Sequence, residues 1–105
     1  MNRDLKLLPM NLTDDQLLEV ERLSGLFLAP DEIAALMGVD SFLFCEAIAA
    51  KAGVIWEAYF RGKTISKRDI HENIVKMAKH GSPQAEEFAR DMMLKQSSAE
   101  RRAKR

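Results

Sequence analysis

Two histidines, one cysteine and a scatter of carboxylates are the side chains that could do bond chemistry in this sequence, and their spacing argues against it. His71 and His80 lie nine residues apart on one predicted helix. At about 100° per residue that puts them on opposite sides, so they cannot share a metal. Cys45 has no histidine nearby in sequence, and a thiol without a neighbouring base reads as a packed or idle side chain rather than a nucleophile. Asp69 and Glu72 lie close enough to Lys76 and its neighbours to form ordinary surface pairs. No glycine-rich phosphate loop, paired metal ligands or nucleophile elbow is present. The expectation is a protein that is not an enzyme and carries no cofactor and no metal.

Binding chemistry is better represented. Lys51, Arg61, Lys63, Lys67 and Arg68 follow one another closely, and Arg101, Arg102, Lys104 and Arg105 crowd the last residues. Such groups can hold phosphates without reading bases. The formal net charge is zero, from sixteen basic and sixteen acidic residues, but the distribution is uneven. Residues 31–50 hold four acidic groups and no basic ones, whereas residues 51–81 hold seven basic groups against three acidic. An asymmetry of this kind suits a molecule that faces nucleic acid or complements itself, although solvated helix faces produce similar counts.

The elements that must position these groups read as helices throughout. Residues 1–12 lack helical periodicity and form a lead-in whose Leu7, Leu8 and Leu12 are available to pack on a core. Thr13 to Gln16 has the spacing of a capping box, and Leu17, Val20 and Leu23, with Leu18 alongside, give the first helix an apolar face that ends near Ser24 and Gly25. Pro30 opens a second helix without a polar cap at Ala29, an omission that costs about 1 kcal/mol. Pro30 at the first turn, followed by Asp31 and Glu32, offsets part of it. Ile33, Ala34 and Met37 face inward. Gly38 ends that helix, Asp40 caps a third, and Phe44 and Ala47 line it as far as about Lys51.

The stretch from Pro30 to Ala50 therefore reads as a helix-turn-helix unit. Val54 to Arg61 reads as a short bracing helix whose Ile55, Trp56, Tyr59 and Phe60 plug the open side, with a turn at Gly62. A longer helix from about Thr64 to His80 carries Ile70, Ile74 and Met77. Gly81 stops it, and Ser82 and Pro83 open another helix carrying Phe88 and Met92, so that the two make an αα-hairpin. The hairpin has more apolar stripe than it can bury within itself, which marks Ile70, Ile74, Met77, Phe88 and Met92 as a candidate assembly face. The predicted class is all-α. Residues 13–62 form the helix-turn-helix domain, 63–95 the hairpin, and 96–105 a basic tail that is either frayed helix or disordered.

In a helix-turn-helix the exposed positions of the second helix, here Asp40, Ser41, Phe42, Cys45, Glu46 and Ala49, face the major groove. Base readout is dominated by Arg, Lys, Asn and Gln, and none of these is present there. Asp40 and Glu46 would repel phosphate. The candidate DNA contacts are therefore Ser41, Phe42 and Cys45 on the helix, with Lys51, Arg61, Lys63, Lys67 and Arg68 on the backbone. The alternative is the same fold used to bind a protein through Phe42, Cys45 and the acidic helix. At 105 residues the chain is one domain's worth. A single cysteine, apolar runs broken by Glu46 and Lys51, and no basic-then-apolar leader point to a soluble cytoplasmic protein without a membrane anchor.

Several runs in this order resemble the small terminase subunits of tailed bacteriophages and related phage helix-turn-helix proteins. They are E-I-A-A-L-M-G-V-D from Glu32, F-L-F from Phe42, I-W-E-A-Y-F-R-G-K from Ile55 and M-A-K-H-G-S-P-Q-A from Met77. The most specific parts are A-Y-x-R-G-K at Ala58 to Lys63 and A-K-x-G-S-P at Ala78 to Pro83, and the resemblance covers roughly residues 13–95. It implies a non-catalytic DNA-packaging factor of phage or prophage origin, working in a bacterial cytoplasm. Such a factor binds viral double-stranded DNA, self-associates through its helical hairpin and engages the large terminase subunit. By that analogy Ile33 to Ala49 is the DNA-binding unit and residues 64–94 the assembly unit.

Overall fold

The computed structural model describes residues 10–104, so Leu7, Leu8 and Arg105 lie outside the described residues. Within that range the chain is all-helical. The elements are α1 (Asp14–Ser24), α2 (Pro30–Met37), α3 (Ser41–Ala49), α4 (Val54–Lys79) and α5 (Pro83–Ala103). Two compact units divide after Lys67, within α4.

The helix starts follow the sequence closely. Thr13 Oγ1 accepts from the Gln16 N–H at 3.1 Å while the Thr13 N–H donates to Gln16 Oε1 at 2.8 Å, completing the capping box of α1. Ala29 offers α2 no side-chain cap, but the Ala29 N–H donates to Glu32 Oε1 at 2.9 Å, so half of a box remains. The Leu43 N–H donates to Asp40 Oδ1 at 2.8 Å and the Ala85 N–H to Ser82 Oγ at 3.2 Å, capping α3 and α5. α2 ends at Gly38, whose φ of 71° puts it in the left-handed region. There the Val39 N–H reaches back to the Ala34 carbonyl at 3.1 Å and the Gly38 N–H to that of Ala35 at 3.3 Å. This pair of bonds closes the helix and turns the chain sharply into α3.

The first unit has a single core. Val20 and Leu23 of α1, Ile33 and Ala34 of α2, Phe44 and Ile48 of α3, and Ile55 and Ala58 of α4 are all buried together. α2 packs chiefly on α3 and also on α1. Leu12, Leu17, Met37, Ala47, Trp56 and Tyr59 lie partly buried against this cluster, while Leu18 is exposed.

Two expectations need correction. The turn placed at Gly62 does not exist: the bracing helix and the first hairpin helix are one 26-residue helix, Val54–Lys79. Gly62 is buried where α4 crosses the end of α1, and a Cβ there would run into the Glu21 carbonyl oxygen and Ser24 Oγ. It is a close-approach glycine, not a helix breaker. Next, α3 stops at Ala49, and Lys51 sits outside it at φ 54°. Of the two alternatives for the basic tail the helical one holds, as far as Ala103.

Candidate nucleic-acid interface and assembly face

Ser41 and Phe42 are exposed on the first turn of α3, and Cys45 is half-buried one turn on. Glu46 and Ala49 complete the exposed side. The amide donors at the start of α3 face the Asp40 carboxylate, whose Oδ1 already accepts from Leu43. The negative charge of that carboxylate opposes a phosphate there. Along the exposed side of α3 the only formal charge is negative.

The basic candidates separate once α4 is a single helix. Lys51 is exposed in the link between α3 and α4. Arg61 reaches Glu21 of α1 at 3.4 Å, and Arg68, the first residue of the second unit, holds Asp69 at 3.0 Å. Both pairs are solvent-exposed and of a kind worth about 1 kcal/mol or less, so either arginine can be released to a phosphate at small cost. Lys63 and Lys67 lie elsewhere on the helix, about 160° and about 120° from Arg61 at about 100° per residue. Lys63 Nζ stands 5.6 Å from the centre of the Tyr59 ring. Trp56 stacks on Phe60 with ring centres 5.1 Å apart and lies 6.1 Å from Tyr59. Trp56, Tyr59, Phe60, Lys63 and Lys67 thus form one stripe along the first half of α4. Phe60, expected in the core, is half exposed on it. This stripe becomes legible in the sequence only when the helix is carried through Gly62.

In the second unit, Ala85 is the one buried residue among those described. Ile74 and Met92 are half-buried, whereas Ile70, Met77 and Phe88 are exposed, Met77 at 48% and Phe88 at 52%. Val75, Met93 and Leu94 are exposed as well. The five candidate assembly residues therefore lie on helices whose apolar stripe remains largely uncovered.

The chemistry elsewhere is sparse. His71 is half-buried on α4; His80 is exposed past its end, with Nδ1 2.7 Å from the Lys76 carbonyl oxygen. Among the described residues no three His, Cys, Asp or Glu side chains gather where a metal could sit. The Arg22 guanidinium hydrogen-bonds Glu19 and holds that exposed carboxyl below its ordinary pKa, a surface effect on α1. No described helix is long and apolar enough to cross a membrane. No family model matches this chain, and neither does any curated protein or solved structure.

Proposed function

We propose that this chain is a non-catalytic, self-associating double-stranded DNA-binding protein of the small terminase type, phage-encoded and acting with a large terminase subunit in the bacterial cytoplasm. The observation that carries the reading is the sparse burial of the second unit, which begins at Arg68. A segment of this size that buries one alanine and leaves Ile70, Met77 and Phe88 exposed has too little core to hold itself, since chains below about 40 residues usually need a further constraint or oligomerisation. Association of copies through that stripe supplies the missing burial. The sequence resemblance then supplies the DNA role, with α2 and α3 as a helix-turn-helix.

The contact with DNA is to the backbone. Ser41, Phe42 and Cys45 offer no bidentate partner for a base edge, whereas Lys51, Arg61, Arg68 and the cations near the end of α5 can neutralise phosphates. With about four phosphate contacts, affinity for any duplex should fall roughly 100-fold between about 50 and about 200 mM salt. Fluorescence anisotropy on two unrelated duplexes measures this. Similar affinities and a steep salt slope are expected, and the slope should flatten when Lys51, Arg61 and Arg68 are neutralised together. Absence of binding at the lower salt would contradict the DNA role.

One observation favours a second reading, a protein-interaction module without DNA contact: α3 exposes an aromatic ring and a carboxylate and no cation. In that case the protein would ignore duplex DNA at both salt concentrations.

A further inference from the structure

We infer that the acidic, apolar face of α2 and α3 docks a second copy of this chain, onto the aromatic and lysine stripe at the start of that copy's α4. The inference deepens the self-association reading and rests on it.

The two surfaces have opposite character. α2 exposes Glu32 and Leu36, four residues apart, and α3 exposes Phe42, Glu46 and Ala49 at the spacing of one helical stripe. Leu36 is 67% and Phe42 56% exposed. Residues 31–50 contain four carboxylates and no cation. The α4 stripe offers Trp56, Tyr59 and Phe60 as its apolar part and Lys63 and Lys67 as its charged part.

Among the described residues neither set of charges is neutralised by an ion pair, and Asp31, Glu32 and Asp40 accept only backbone N–H bonds at helix starts. Among the described residues, Asp31, Glu32, Asp40 and Glu46 form no ion pair, and neither do Lys63 and Lys67; the ion pairs of the first unit are Glu19–Arg22 and Glu21–Arg61. Four like charges in two short helices repel one another, and an apposed pair of lysines relieves that repulsion. The apolar groups beside the charges on both surfaces exclude water from the contact, which strengthens the attraction.

Because the surfaces are different patches of one unit, the contact is heterologous: each copy offers its acidic face to one neighbour and its stripe to another. The same assignment accounts for an α3 that has no base-reading side chain. Its exposed side is complementary to protein.

Charge exchange tests the contact. Glu46→Lys is made in one chain and Lys63→Glu/Lys67→Glu in another, each checked for helix content by circular dichroism and sized by light scattering against wild type. Each variant alone should be less associated than wild type. An equimolar mixture should regain association, because the reversed charge on α3 of one chain then faces the reversed charges on α4 of the other. A wild-type protein that is monomeric at every concentration overturns this inference together with the self-association reading. A wild-type multimer whose mass neither variant changes overturns the contact alone and leaves self-association standing. If the lysine variant keeps its mass but loses duplex DNA, the stripe is a DNA surface and the contact is overturned.

Discussion

Gly62→Ala is expected to destabilise the first unit by on the order of 3 kcal/mol, although the same substitution at an ordinary helix position stabilises by about 1 kcal/mol. The sign reverses because of what the new methyl would meet. The Cβ would collide with the Glu21 carbonyl oxygen and Ser24 Oγ and would lie 2.8 Å from the Glu21 carbonyl carbon. Two of these atoms are backbone and cannot rotate away, so α4 must lift off α1. Gly25, on the other side of the crossing, already has Ser66 Oγ within 2.9 Å of its own would-be Cβ, which leaves no slack there. Overpacking of a tight site costs about 1–3 kcal/mol or more. For a unit of this size, a midpoint fall of about 12 °C or more follows from about 4–8 °C per kcal/mol. Gly38→Ala is the control: open space surrounds its Cβ position, only the positive φ opposes the change, and the cost is about 1–2 kcal/mol. Thermal and urea unfolding followed by circular dichroism measure both. A Gly62→Ala protein as stable as wild type would show that the helices do not approach so closely.

The double variant Met77→Glu/Phe88→Glu is expected to weaken self-association strongly, lowering the mass towards that of one 11.9 kDa chain. In an isolated chain these side chains are exposed, and exposed substitutions change stability by about 0.5 kcal/mol or less. In an assembled hairpin they are covered. Losing two apolar contacts worth about 1.5–3 kcal/mol each, and burying carboxylates in their place, weakens association by a factor of about 1,000 or more. Light scattering gives the mass and circular dichroism confirms that the helices remain. An unchanged multimer would remove the hairpin stripe as the assembly face.

Much of the fold is legible in the sequence because its signals are local. Thr13, Asp40 and Ser82 announce helix starts through hydrogen bonds that span three residues, and Gly38 and Gly81 announce helix ends in the same way. The inward residues Val20, Leu23, Ile33, Ala34 and Phe44 follow from period alone. Gly62 misleads because its role is not local. A glycine between charged residues has the composition of a turn, and only the proximity of Glu21 and Ser24, some 40 positions earlier, makes it a helix-crossing residue. The same glycine conceals the stripe from Trp56 to Lys67, since periodicity cannot be followed through an assumed break. Lys51 reads as the end of α3 for a related reason: a lysine at φ 54° carries no sequence mark of its backbone conformation. The uncovered apolar side chains of the second unit are legible as an excess of apolar stripe, whereas the proposed DNA role draws on the resemblance and on the charges of Lys51, Arg61 and Arg68.

Light scattering of the wild-type protein with and without a duplex, at low and at moderate salt, tests the central claim most directly, because one mass reports both self-association and DNA binding. The expected result is a multimer that gains the mass of the duplex at about 50 mM salt and sheds it near about 200 mM while remaining multimeric, since apolar association persists where phosphate contacts are lost. A protein that stays at the mass of a single chain and never takes up the duplex would contradict the account.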